Sequence, residues 1–264
     1  MMTVDVYARP DSLEEAFDLL QGEGNVAVIG GGAYLRLPQR HFDGLVDLSR
    51  LELDYIRETP ETVEIGAYAT LRSLETSGLL VREFDGLLPR SVSHVVGVQM
   101  RNIVTVGGTV GGRYGFSDLL TALVAIGGTV HLYQRGEVPI DVYLEEPKGD
   151  KDIVEKVVLP KRTVHGSFGH VRLSEKDFAI LNVAVVKDEQ GYRIAVGSRP
   201  AAAKLAREAM ETVAGQSMTV ELAEQAGRIA AGELRFGGNL SGSSAYRQEL
   251  CKTLVRRALM EVGQ

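Results

Sequence analysis

The sequence predicts an α+β protein in which strands and helices interleave with no regular repeat. Three observations predict it. Short β-branched runs alternate irregularly with segments of helical periodicity, which argues against a doubly wound parallel sheet. Two glycine-rich stretches, 28–35 and 101–109, follow β-branched runs where strands should end. A hairpin signal, Asp188-Glu189-Gln190-Gly191 between Phe178–Val186 and Tyr192–Val196, comes late and is followed by helices.

In chain order, Val4–Tyr7 reads as a short strand. Ser12-Leu13-Glu14-Glu15 has the form of a capping box, in which hydroxyl and carboxylate satisfy each other's orphan N–H groups. Leu13, Ala16, Phe17 and Leu20 then recur at helical spacing until Gly22 and Gly24 stop the helix. Val26–Ile29 is a buried strand, and Leu45–Leu48 and Val63–Ile65 are further strands, so 1–55 forms a small βαβ-type unit. A second unit covers 56–160. Leu71, Leu74 and Leu79-Leu80 mark short helices, Arg90–Val98 another, and Ser117 caps a helix bearing Leu119, Leu120, Leu123, Val124 and Ile126. Strands Thr129–Tyr133 and Ile153–Leu159 complete it. Pro160-Lys161-Arg162 marks a boundary between domains 1–160 and 161–264. The second domain holds the hairpin and helices over 201–213, 220–231 and 244–260. The last helix sets Leu250, Leu254 and Ala258 on one face, with Arg247, Lys252, Arg256 and Arg257 around it, a pattern suiting either a partner surface or the domain's own core.

Composition excludes several classes. With 264 residues, 44% hydrophobic and 24% charged, the chain is an ordinary globular one. A net charge of −6 without a dense Lys/Arg run argues against nucleic acid. No apolar stretch approaches the roughly 20 residues of a membrane helix, and Asp11, Glu14 and Glu15 come too early for a secretory leader, so the cytoplasm is expected. Cys251 stands alone, which excludes an internal disulfide and a cysteine-ligated cluster within this chain, and its helix makes it an inert packed thiol. His41, His94, His131, His165 and His170 show no ligand spacing, so no metal site is predicted. No Gly-x-Ser-x-Gly elbow supports a serine hydrolase.

The chemistry lies in the glycine stretches. Val28-Ile29-Gly30-Gly31-Gly32-Ala33-Tyr34-Leu35 and Thr105-Val106-Gly107-Gly108-Thr109 fit neither Rossmann nor Walker spacing. Two such stretches, far apart in sequence, suit the two halves of a pyrophosphate, with glycines admitting the ligand close to the backbone. That pattern points to a flavin dinucleotide site outside the Rossmann plan. Asp118 has two readings, a helix-dipole partner in a first turn or an acceptor for nucleotide hydroxyls.

The run Arg101-Asn102-Ile103-Val104-Thr105-Val106-Gly107-Gly108-Thr109, continued by Ser117-Asp118-Leu119-Leu120, resembles the FAD-binding (medium) subunit of the molybdenum hydroxylases, the xanthine dehydrogenase and carbon monoxide dehydrogenase group. Val28–Leu35 resembles the family's first pyrophosphate loop, and Gly242–Arg247 with Leu254–Leu259 its last helix, so the likeness spans nearly the whole chain. The resemblance implies a two-subdomain FAD-binding fold of the vanillyl-alcohol-oxidase (PCMH-like) type, followed by a small α+β domain of antiparallel strands and a helix bundle. It implies FAD contacts from Val28 to Leu35, from Thr105 to Thr109, from Asp118 and near Val154, with Arg172 or His170 as the basic residue beside the isoalloxazine. Ala33, Tyr34 and Thr109 depart from the family pattern. Ala33 removes one hydroxyl bond, worth about 0.5–1.5 kcal/mol.

The implied role is an electron-transfer subunit with non-covalent FAD and no catalytic side chain of its own. It would take electrons from a small iron–sulfur chain, beside a large molybdopterin chain, in an assembly such as a dimer of heterotrimers, and pass them to NAD+ or dioxygen. Two rival readings are a self-sufficient flavin reductase of the enolpyruvyl-UDP-glucosamine reductase type and a non-catalytic FAD-binding assembly module.

Overall fold

A computed structural model describes residues 2–35, 39–149, 151–175 and 177–263. Strands β1 (Thr3–Ala8), β2 (Val26–Ile29) and β3 (His41–Asp47), with helix α1 (Leu13–Leu20) between the first two, form a parallel sheet of order β1-β3-β2. The cap of α1 differs in one bond from expectation. The Ser12 hydroxyl accepts from Glu15 N–H at 3.1 Å, but the Glu15 carboxylate reaches back to Asp11 N–H at 2.9 Å.

A second sheet, antiparallel throughout, comprises β4 (Ile56–Glu58), β5 (Thr62–Gly66), β6 (Thr129–Leu132), β7 (Gly136–Pro139) and β8 (Val154–Pro160), in the order β4-β5-β8-β6-β7. Between β5 and β6 run α2 (Leu71–Glu75), α3 (Gly78–Glu83), α4 (Leu87–Ser93), α5 (Val98–Ile103), α6 (Val106–Gly112) and α7 (Asp118–Ile126), and α8 (Ile140–Glu145) follows β7. The helix expected over Arg90–Val98 instead ends at Ser93, because Gly97 sits at φ 71° and starts a new one. More consequentially, the second glycine stretch is not a strand-end loop. It is two short helices joined through Val104 and Thr105, with the Thr105 hydroxyl capping the second.

The last sheet, β9 (His165–Val171), β10 (Leu181–Asp188), β11 (Gly191–Gly197) and β12 (Lys204–Leu205), is antiparallel in the order β12-β11-β10-β9. Its strands alternate between two cores, as the period of a pleat requires. Leu181, Val183 and Val185 of β10 pack with the helices α9 (Arg207–Val213), α10 (Val220–Glu233) and α11 (Ser244–Gly263). Ala184 and Val186 belong to the other core, which contains α7. Every residue of α7 is buried, and this helix packs on β8 of the second sheet and on β10 and β11 of the last.

Three expectations shift here. Phe178 lies outside the strand, which begins at Leu181. Helix 201–213 begins only at Arg207, because Lys204–Leu205 pairs with β11. The final helix turns Cys251, Leu254, Val255, Ala258 and Leu259 into its own domain's core, against α10 and β10, so its apolar face is not a free surface. Helices α10 and α11 approach closely at Gly227, where a Cβ would lie 2.5 Å from Lys252 O. Burial pushes the Cys251 thiol up to about 12, consistent with an inert core thiol.

Candidate functional site: a cleft between two glycine stretches

The two glycine stretches meet across one cavity of about 320 Å³. Val28, Gly30, Gly31, Gly32, Ala33, Tyr34 and Leu35 line one side; Thr105, Gly107 and Gly108 line the other, with Val154 of β8 beside them. Ile29, Val106, Thr109, Asp118 and Arg172 do not line it. Val106 is fully buried, and Thr109 turns inward, donating its hydroxyl to Thr105 O at 2.8 Å.

Glycine is demanded at the meeting point by the protein itself. A Cβ on Gly31 would lie 1.4 Å from Ile103 O, and one on Gly30 would lie 2.3 Å from the Thr105 hydroxyl. The first stretch therefore rests directly on the second, which fixes the width of the cleft. The two sides also differ in their free donors. Gly107 N–H donates to Ala67 O at 2.7 Å and Gly108 N–H to Thr105 Oγ1 at 3.1 Å. Among the described residues, the N–H groups of Gly31, Gly32 and Ala33 make no hydrogen bond within the chain. The first stretch thus keeps backbone donors at the cavity wall, while the amides of Gly107 and Gly108 are already engaged. The site fits a diphosphate on that side. Arg101, part of the sequence motif, is a strut: its Nε donates to Glu75 at 2.7 Å and its Nη1 to Val95 O at 2.6 Å.

Sequence reasoning missed several lining residues. Tyr68 lines the cavity and donates to Asp47 Oδ1 at 3.1 Å, while Tyr7 bonds the other oxygen. Burial raises the Asp47 carboxyl, but the bonds from Tyr7, Ser49 and Tyr68 outweigh it and hold the group below the usual carboxylate range. Tyr114 also lines the cavity, its ring 4.8 Å from that of Tyr34 and 5.2 Å from that of Phe116. Phe116 in turn meets Phe178 at 4.1 Å. Burial pushes the Tyr34 phenol up to about 12, helped by Tyr114 and by the charge of Asp118. Gly111-Gly112 was the legible signal for this region; Tyr68 and Tyr114 carried none.

Asp118 and Arg172, predicted separately, are brought together. Arg172 Nη2 donates to Asp118 Oδ2 at 2.5 Å, and the two side chains are 6% and 4% exposed. A second cluster, Asp5, His41 and Asp43, has ligand-type atoms within 4.8 Å of one another, but all three are exposed. The sequence spacing gave no hint of it, because β1 and β3 bring the residues together.

Comparison with known proteins now bears on this cleft. Residues 2–162 match the family described as the FAD binding domain in molybdopterin dehydrogenase. The chain belongs to that family. Residues 167–262 match the CO dehydrogenase flavoprotein C-terminal domain. Among its relatives, the nicotine 6-hydroxylase medium subunit of Paenarthrobacter nicotinovorans is 27% identical, over 97% of this chain and 96% of that protein. The glyceraldehyde dehydrogenase medium chain of Sulfolobus acidocaldarius is 25% identical, over 97% of this chain and 98% of that one. The fold matches a chain of carbon monoxide dehydrogenase from Hydrogenophaga pseudoflava with a TM-score of 0.88 at 25% identity, over 97% of this chain and 96% of that chain. This family member is thus homologous to oxidoreductase subunits, and its fold is mixed helix and sheet. Among the described residues no helix is long and apolar enough to cross a membrane.

Proposed function

We propose that this chain is the FAD-carrying electron-transfer subunit of a molybdenum hydroxylase complex. It takes electrons from iron–sulfur centres on a small partner chain and delivers them to a final acceptor such as NAD+ or dioxygen, while a large chain holds the molybdenum cofactor. The observation that carries this reading is the cleft itself, in a chain matching both flavoprotein families: two packed glycine stretches, one with unpaired backbone donors. The C-terminal match favours it over a self-sufficient reductase of the enolpyruvyl-UDP-glucosamine reductase type and over a non-catalytic assembly module. A parallel and an antiparallel sheet flanking the cleft favour the two-subdomain, vanillyl-alcohol-oxidase-like plan, with domains 1–160 and 161–264. A dimer of heterotrimers in the cytoplasm is the assembly proposed.

When bound, FAD supplies the redox chemistry, accepting electrons from one partner and releasing them to another. The residues of this chain bind and orient. The amides of Gly31, Gly32 and Ala33 hold the diphosphate, and Val28 and Val154 give an apolar wall. The packed glycines fix the cleft's width, and the paired rings of Tyr34 and Tyr114 line it. No side chain here acts as a general acid or base on the hydroxylated substrate. The purified chain is expected to be yellow with about one FAD per chain, released by acid precipitation because no covalent link holds it. A chain that takes up no flavin from excess FAD would overturn the reading.

A further inference from the structure

Of the tyrosines that line the cleft, Tyr68 has its hydroxyl committed, to Asp47 at 3.1 Å. Among the described residues, the hydroxyls of Tyr34 and Tyr114 have no hydrogen-bond partner. Neither is sealed into the core, where an unpaired hydroxyl would only destabilise. Burial raises both phenols, that of Tyr34 to about 12, while the charge of Arg40 pulls back on Tyr114. Both therefore keep a proton to donate throughout the physiological range. Other polar side chains of the lining are engaged: Lys151 donates to Gly22 O at 2.9 Å, Asp152 accepts from Gln134 N–H at 3.0 Å, and the Thr105 hydroxyl accepts from Gly108 N–H.

Tyr34 continues the first glycine stretch, one residue past the unpaired amide of Ala33, and Tyr114 follows α6, the helix that bears Gly107 and Gly108. The seat of Tyr114 is over-determined. A Cβ on Gly112 would lie 2.2 Å from Tyr114 Cε2 and 2.6 Å from its Cζ, so glycine lets the ring lie on the end of α6. Arg113 takes the left-handed conformation, φ 45° and ψ 48°, which a non-glycine residue adopts only under constraint. Its guanidinium supplies the constraint, donating to Glu146 O at 2.8 Å and Pro147 O at 3.3 Å and lying 3.8 Å from the centroid of the Tyr143 ring. Phe116 then braces both phenols, its ring 5.2 Å from that of Tyr114 and 5.4 Å from that of Tyr34. Backbone strain held in this way, next to a residue on a cavity wall, is characteristic of ligand clamps. We infer that Tyr34 and Tyr114 form a two-phenol clamp that donates both free hydroxyls to the bound dinucleotide's diphosphate, beside the amides of Gly31, Gly32 and Ala33. This rests on the FAD reading above and deepens it by naming side-chain donors to the anion. A hydrogen bond to an anionic oxygen is about twice as strong as one between neutral groups, and the packed rings have little freedom left to lose on binding.

The test compares the full wild-type chain with Tyr34→Phe and Tyr114→Phe, which keep the rings and remove only the hydroxyls. Flavin fluorescence gives the dissociation constant for FAD, and displacement of FAD gives those for ADP and adenosine. Each substitution should weaken FAD and ADP alike by about tenfold, the loss of one hydrogen bond to a charged group, and leave adenosine unchanged. The thermal midpoint of the flavin-free chain should not move, because neither hydroxyl has a partner within it. Unchanged FAD affinity in either variant would overturn the clamp. So would an equal loss for adenosine, which would put the hydroxyls on sugar or base, or a loss for FAD without one for ADP, which would put them on the ribityl chain or the flavin. A wild-type chain that binds neither FAD nor ADP would instead overturn the reading on which the inference rests.

Discussion

Gly31→Ala is expected to abolish FAD retention and to destabilise the chain by about 3 kcal/mol, the upper part of the range for overpacking. The added methyl would sit 1.4 Å from Ile103 O and 2.5 Å from Ile103 C, both backbone atoms that cannot rotate away. Relief requires the first stretch to lift off α5, which widens the cleft and displaces the unpaired amides of Gly31, Gly32 and Ala33. Two controls grade the effect. Gly108→Ala meets only the Thr105 hydroxyl, at 2.9 Å, and should weaken binding without destroying it. Gly78→Ala, with nothing within 4 Å, should be neutral or slightly stabilising. Flavin fluorescence titration with thermal unfolding measures all three. Wild-type FAD affinity in Gly31→Ala would show that the contact between the stretches does not set the site.

Arg247→Met is expected to cost about 3–5 kcal/mol and to loosen the 237–243 turn. Arg247 is 1% exposed, and among the described residues no ion pair is formed by it. Its guanidinium instead donates to Ile180 O at 2.9 Å, Gly237 O at 3.0 Å, the Asn239 side chain at 2.7 Å, and Gly242 O. Burial lowers its pKa, yet an arginine stays charged throughout the physiological range. Removing the guanidinium strands several acceptors at once, since methionine fills the volume but donates nothing. The cavity lies elsewhere, so FAD stoichiometry should hold wherever the variant is folded. Chemical denaturation and amide exchange at 237–243 check this; wild-type stability would mean that water replaces the guanidinium at no cost.

Local signals made much of the fold legible. The cap at Ser12, the periodicity of α1, the β-branched runs of β2 and β8 and the alternation around Gly191 all act within a few residues, and the elements formed there. The second glycine stretch reads as a loop because glycine is a poor helix former. It is helical because tertiary contact outweighs propensity: a Cβ on Gly107 would be 2.6 Å from Ala67 Cβ, so only glycine brings this helix so close to the chain after β5. The short edge strands β4 and β7 carry too few alternating residues to be read alone.

The candidate site shows the same division. The first stretch announces itself through three glycines in a row, and eleven of the sixteen predicted contact positions line the cavity. Tyr68 and Tyr114 do not announce themselves, since a tyrosine after a strand or in a turn has no spacing that marks it. Asp118 and Arg172 were legible as polar residues of consequence, but their pairing was not. It depends on Asn182 and Gly197, two residues of the last sheet whose roles exist only once α7 lies against them.

The central claim is that this chain's flavin receives electrons from a partner rather than from substrate. It is tested most directly by anaerobic mixing of the FAD-loaded chain with the hydroxylase substrate, with and without the iron–sulfur and molybdenum chains copurified from its native cell. The account predicts bleaching of the flavin's visible absorption only when those chains are present, and reduction of the isolated chain by dithionite. Flavin reduction by substrate in the isolated chain, or an intact flavin in the reduced complex, would contradict it.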